Sequence, residues 1–176
     1  MNRTQRTTML AVLLILLGAC TSSQPTSQVK ASPTAAVHTF AGGCAGTVLT
    51  DAVPPIWARS GWTHTTGTPW PVPWAFGTPG TTLAYVWGTQ LVSAQSSRVD
   101  GPNNKVNWLS KDNPGEGLKV EGRPLGQTQP VVTIAGGPSE VNLPTPGCWT
   151  FRLTWNANGQ HSSIINLEVL PAVKLP

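Results

Sequence analysis

The chain has 176 residues, with 11 Lys+Arg against 7 Asp+Glu and a formal net charge of +4. Charged residues make up only 10% and no basic run occurs, which argues against nucleic acid as a partner, because phosphate contacts need clustered Lys and Arg. The 18 Gly and 17 Pro punctuate the chain every few residues and leave no room for a long helix beyond the N-terminal segment.

The first predicted element is a signal helix over residues 1–19. Arg3 and Arg6 precede an apolar run from Met9 to Leu17 that is too short for a stable transmembrane helix. Leu17-Gly18-Ala19-Cys20 has the layout of a bacterial lipobox, in which the cysteine carries a diacylglycerol thioether and becomes the first mature residue. The plainer alternative is an ordinary signal peptide. Lipidation at Cys20 predicts a membrane anchor outside the cytoplasm, since two or three acyl chains hold firmly where one binds marginally. Loss of Arg3 and Arg6 leaves nine basic and seven acidic residues, a balance of +2. Residues 20–43 are rich in Ser, Thr, Pro and Ala, with Lys30 the one charge. Such a segment buries too little apolar surface to offset its ordering entropy and reads as a disordered tether.

Three cysteines are an odd number for an exported chain. If Cys20 is lipidated, Cys44 and Cys148 remain as a pair in an oxidising compartment, and a disulfide is expected. The competing reading is two free buried thiols. A zinc site has no support, because there is no CxxC and no clustered His.

Residues 51–80 are dense in Pro, Gly and Trp and predict a long ordered loop, either functional or hiding short strands. Beyond it, alternating runs predict strands in "TTLAYVWG", with Leu83, Tyr85 and Trp87 on one face, then in "NKVNWLS", "GLKVEGRP" and "PVVTIAGG". Leu118 and Val120 are expected inward, and "EVNLPTPG" is a last short piece. "CWTFRLTWN" and "SSIINLEVLP" form a hairpin around Asn158-Gly159, with Trp149, Phe151 and Leu153 joined by Ile165, Leu167 and Val169 on the inner face. Cys148 begins this strand on the opposite face, where it is expected to bond sideways to Cys44. About seven short strands with turns between them predict an all-β fold over residues 44–171, an immunoglobulin-like antiparallel β-sandwich, with a short tail at 172–176.

"PWAFGTPGTTLAYVWG", "LKVEGRPLG" and "PTPGCWTFRLTW", together with Cys44, resemble a group of bacterial exported proteins. Those proteins share an early Cys, a sheet segment ending in EGR-x-L and a hairpin opening P-x-x-GCW. The resemblance spans roughly residues 44–170. It implies an immunoglobulin-like domain with paired cysteines and implies no activity. The chain departs from it at "NWLSKDNPGEG", where relatives carry more aromatic and basic residues.

Residues able to do chemistry are sparse. His38 and His161 have contexts typical of exposed polar residues, whereas His64 lies in the Trp-rich loop. A hydrolase would need a cleft joining His64 to a carboxylate such as Asp51. No nucleophile elbow, HExxH or phosphate loop is present, so no catalytic residue, cofactor or metal is assigned. Asp100, Asn103 and Asn104 offer calcium-type oxygens, but one carboxylate is too few and a turn is the better reading. Glu121 and Arg123 are candidates for an exposed ion pair. Trp57, Trp62, Trp70 and Trp74 are the candidate ligand-binding residues. Exposed indoles on a stiff Pro-spaced frame suit a sugar ring or a protein partner, unless they cover an edge or open end of the sandwich. The function expected is therefore a non-enzymatic structural or protein-interaction module of the bacterial cell envelope, anchored to the membrane through Cys20. An envelope protein or polysaccharide is the candidate ligand, and a carbohydrate-binding module is the alternative.

Overall fold

The computed structural model describes residues 36–88, 90–93, 104–112, 117–156 and 161–172. The expected signal helix and Cys20 lie outside the described residues, as do Lys30, Asp100, Asn103, Asn158 and Gly159.

The described chain is all-β. Its strands, in order, are β1 (Thr39–Phe40), β2 (Leu49–Thr50), β3 (Trp74–Phe76), β4 (Thr82–Trp87), β5 (Leu91–Val92), β6 (Lys105–Ser110), β7 (Lys119–Pro124), β8 (Val132–Ala135), β9 (Gly137–Glu140), β10 (Gly147–Trp155) and β11 (His161–Leu170). A 3-10 turn covers Ile56–Ala58. One sheet runs β1-β2-β3-β4-β6-β9 and the other β5-β11-β10-β7-β8. All pairs are antiparallel except β5 with β11.

The hairpin β10–β11 pairs from Gly147↔Val169 to Trp155↔His161, the frame its two-residue alternation predicts. Its inner residues Trp149, Phe151, Leu153, Ile165, Leu167 and Val169 meet Ala84, Val86, Val106 and Trp108 of the other sheet in one core. Leu118 and Val120 join that core, as expected.

Gly122, at the centre of the EGR stretch, has a packing reason. A Cβ there would lie 2.7 Å from Val132 Cγ2 and 2.9 Å from Phe151 Cε1. The β7 backbone therefore approaches the Phe151 ring as only glycine allows. Gly136 plays a similar part where the chain leaves β8 for β9 and changes sheets, since a Cβ there would lie 2.5 Å from Leu118 Cβ.

Three expectations are corrected. β1 lies inside residues 20–43, the stretch read as tether: His38 pairs with Asp51 and Phe40 packs on the core, so ordered structure begins before Cys44. A single apolar residue is too sparse to show as a strand pattern. The strand expected over "EVNLPTPG" falls earlier, at β9, while Val141 and Leu143 are buried outside any strand. Asn104, for which a turn is the better reading than a cation ligand, binds backbone. Its Oδ1 accepts from Val92 N at 2.8 Å, and its Nδ2 donates to Val92 O at 2.6 Å and Val141 O at 3.0 Å. Glu121 takes Lys119, not Arg123, as its ion-pair partner, two residues away on the same strand face.

Cys44 and Cys148 form a disulfide with Cα atoms 5.9 Å apart and a sequence separation of 104. Residues 42–44 run along β11 next to the short stretch that β5 pairs, where Glu168 N donates to Gly42 O at 2.8 Å and Cys44 N to Asn166 O at 3.3 Å. Thr47 Oγ1 accepts from Asn166 N at 2.9 Å. Cys148 stands off the core face and bonds sideways to Cys44, whose segment is hydrogen-bonded along β11.

Candidate functional site: the aromatic face of the first sheet

β4 is buried on both sides. Ala84 and Val86 face the core between the sheets, while Leu83 and Tyr85 face a second apolar cluster. That cluster also holds Ala58, Trp70, Val72 and Trp74, with Ala52, Trp57, Trp62, Trp87 and Leu109 packed against it. The alternation expected for Leu83, Tyr85 and Trp87 is therefore present, but the face they share lies beneath residues 51–73 and outside the inter-sheet core.

This segment is held down by hydrogen bonds from both layers. Tyr85 Oη donates to Ala58 O at 2.8 Å, and Trp74 Nε1 donates to Ala52 O at 2.7 Å. Trp70 N donates to Asp51 O at 2.7 Å. Arg59 Nε donates to Pro54 O at 2.7 Å and closes the 3-10 turn. Burial holds the Tyr85 phenol far above its ordinary range, against the Arg59 charge and the Trp70 indole, which act to lower it. The hydroxyl thus stays protonated and acts as a structural donor.

The candidate tryptophans divide into two pairs. Trp70 and Trp74 are buried, 3% and 4% exposed, so neither can offer a ring face to a ligand. Trp57 and Trp62 are half-buried. Trp62 is nonetheless surrounded, with ring centroids 5.2 Å from Tyr85, 5.7 Å from Trp70 and 6.1 Å from Trp87. The four residues share one aromatic layer, most of which is spent on packing.

His64 and Asp51 are each occupied elsewhere. His64 Nε2 lies 2.9 Å from Thr68 O, which makes it the donor, and its ring stacks on Trp70 at 4.9 Å. Asp51 is buried and takes both its bonds from His38: the backbone N–H reaches Oδ1 at 2.7 Å, and ring Nδ1 reaches Oδ2 at 2.7 Å. Burial pushes the Asp51 carboxyl upward, but the His38 N–H, ring and charge outweigh it and hold the carboxyl below its ordinary value. The pair is separated by 13 residues, and nothing in either local sequence signals it. Its only hint is that a lone Asp at the entrance to an apolar loop must find a donor if it is buried. Among the described residues, no group of three or more His, Cys, Asp or Glu could hold a metal ion.

The arrangement is built for apolar and aromatic contact. The edges of Trp57 and Trp62, and the ridge beside them that carries Val53 and Ile56, are what it offers to solvent. Comparison with protein-family models, curated proteins and solved structures finds no match to this chain.

Proposed function

We propose that this chain is an exported lipoprotein whose immunoglobulin-like β-sandwich is a non-enzymatic module of the bacterial cell envelope, anchored through Cys20 to the outer surface of a membrane and working by protein contact or as a structural part. The observation that carries the reading is the Cys44–Cys148 bridge. It takes two of the three cysteines and leaves as the odd one Cys20, directly behind an apolar signal and two small residues. Two sheets sharing one core, with a disulfide outside it, suit the sandwich reading. The engagement of His64 with Thr68 and of Asp51 with His38 favours binding over hydrolysis.

Metabolic labelling with a fatty-acid analogue tests the anchor. Wild type is expected to take up label and to sediment with membranes, and Cys20→Ala to lose both while the Cys44–Cys148 bridge still forms. Label that survives in Cys20→Ala would overturn the reading. A carbohydrate-binding module is the second reading, favoured by the part exposure of Trp57 and Trp62. It predicts that an envelope polysaccharide shields these two from acrylamide, whereas a structural or protein-contact role predicts no shielding.

A further inference from the structure

Among the described residues, Val48, Leu125, Val131 and Ile164 are exposed aliphatics at scattered places, whereas Val37, Val53 and Ile56 lie where the ordered domain begins. Val37 is exposed, and the antiparallel pairing Thr39↔Thr50 continues through His38 beside Asp51, which brings Val37 next to the start of the Trp-rich segment. Val53 is exposed there, and Ile56, in the 3-10 turn, is 83% exposed. Trp57 follows, half-buried, with its neighbours packed beneath it. Arg59 is exposed, and its Nε bond to Pro54 O folds it back over the same turn. An isoleucine standing almost free on a turn braced by two prolines gains nothing for the fold. Aliphatic groups, an indole edge and an arginine on one ridge are the chemistry of the bilayer interface. There the apolar groups enter the acyl boundary, the indole sits at headgroup depth and the guanidinium stays among phosphates.

The chain outside the described residues favours that occupant. Fifteen residues, 21–35, separate Cys20 from Ala36. Fully extended, a chain of that length reaches at most about 55 Å. Val37 therefore enters the domain within that distance of any bilayer that holds Cys20, and the ridge lies at that same entry point.

We infer that the Val53–Arg59 ridge, with Val37 beside it, is a second membrane contact that seats the domain on the bilayer carrying its lipid anchor. The inference rests on the anchor reading above. A protein partner on the same ridge is the rival outcome.

The test uses the acylated full chain, purified from membranes and reconstituted in phosphatidylglycerol/phosphatidylethanolamine vesicles made with or without brominated acyl chains. Flotation reports the anchor, and bromine quenching of tryptophan emission reports the ridge. Wild type should float and be quenched. Ile56→Asp should float equally and lose more than half of the quenching, with an unchanged near-ultraviolet circular dichroism spectrum. Trp57→Phe should lose a large share of the quenching, with Trp62 and Trp87, also half-buried, carrying the remainder. Flotation without quenching in wild type, or quenching untouched by both variants, would overturn the inference while leaving the anchor in place. Failure to float would remove the anchor reading and the inference with it.

Discussion

Asp51 shows how one buried charge ties two distant pieces of chain together. Its folded carboxyl titrates below the ordinary aspartate value, so the ionised form favours the folded state. That contribution is fully present above about pH 4, the unfolded value, and is lost as pH falls through the folded one. Asp51→Asn is expected to lower the urea midpoint at neutral pH, with a gap to wild type that persists down to about pH 4 and closes below it. A gap that ignores pH would mean that the carboxylate charge contributes nothing. Gly122 makes a different demand, for space. Gly122→Ala drives a methyl into Val132 and Phe151 and should cost on the order of 1–3 kcal/mol by urea denaturation. Wild-type stability in that variant would refute the close approach. Neither residue advertises its role. Asp51 meets His38 through β1–β2 pairing, and Asn104 reaches Val141 across 37 residues, so both contacts depend on topology that local pattern does not carry.

The strands long enough to show a period were legible. β4, β6, β7, β10 and β11 each hold six or more residues, and their alternation is visible in the sequence. β1, β2, β3 and β5 hold two or three residues, too few for any period, and their partners alone define them. Alternation also gives a face without saying what covers it. Leu83 and Tyr85 were legible as neighbours, but that the segment 51–73 would fold over them was not, because proline-rich irregular chain has no periodicity to follow. The candidate site was legible as a cluster of tryptophans and not as a layer with two buried and two half-buried members. Fluorescence checks that division. Emission should be mostly blue-shifted with a minor acrylamide-accessible fraction, and Trp57→Phe combined with Trp62→Phe should remove most of that fraction. If it survives, other indoles face solvent and the layer is looser than described.

At the scale of the whole molecule, the two sheets are joined covalently and by hydrogen bonds along one edge. Thr78 pairs with Ile164, Gly43 with Leu167, and the disulfide lies beside them. Thr82 Oγ1 donates to Ser163 Oγ at 2.6 Å, a buried hydroxyl pair that links β4 to β11. The sequence separation of 104 makes the bridge a strong constraint on the unfolded chain, about 4–5 kcal/mol in the chain-entropy model. Cys44→Ser with Cys148→Ser should lower unfolding free energy by up to that amount, and wild type should fall to the same level under reductant. Equal stability of wild type and the double variant under oxidising conditions would show that the bridge constrains nothing.

The position of that bridge also decides how the domain bears load. Cys44 comes only four residues after β1, and Cys148 sits in β10, flanked by β11 on one side and β7 on the other. A pull on the chain from its N-terminal side can peel β1 away from β2, but at Cys44 it meets a covalent link into the second sheet. Everything between the two cysteines is then shielded, and tension passes straight to β10. Stretched from end to end, the oxidised domain could release only the chain before Cys44 and after Cys148. The intervening 104-residue separation would stay furled until the sulfurs part.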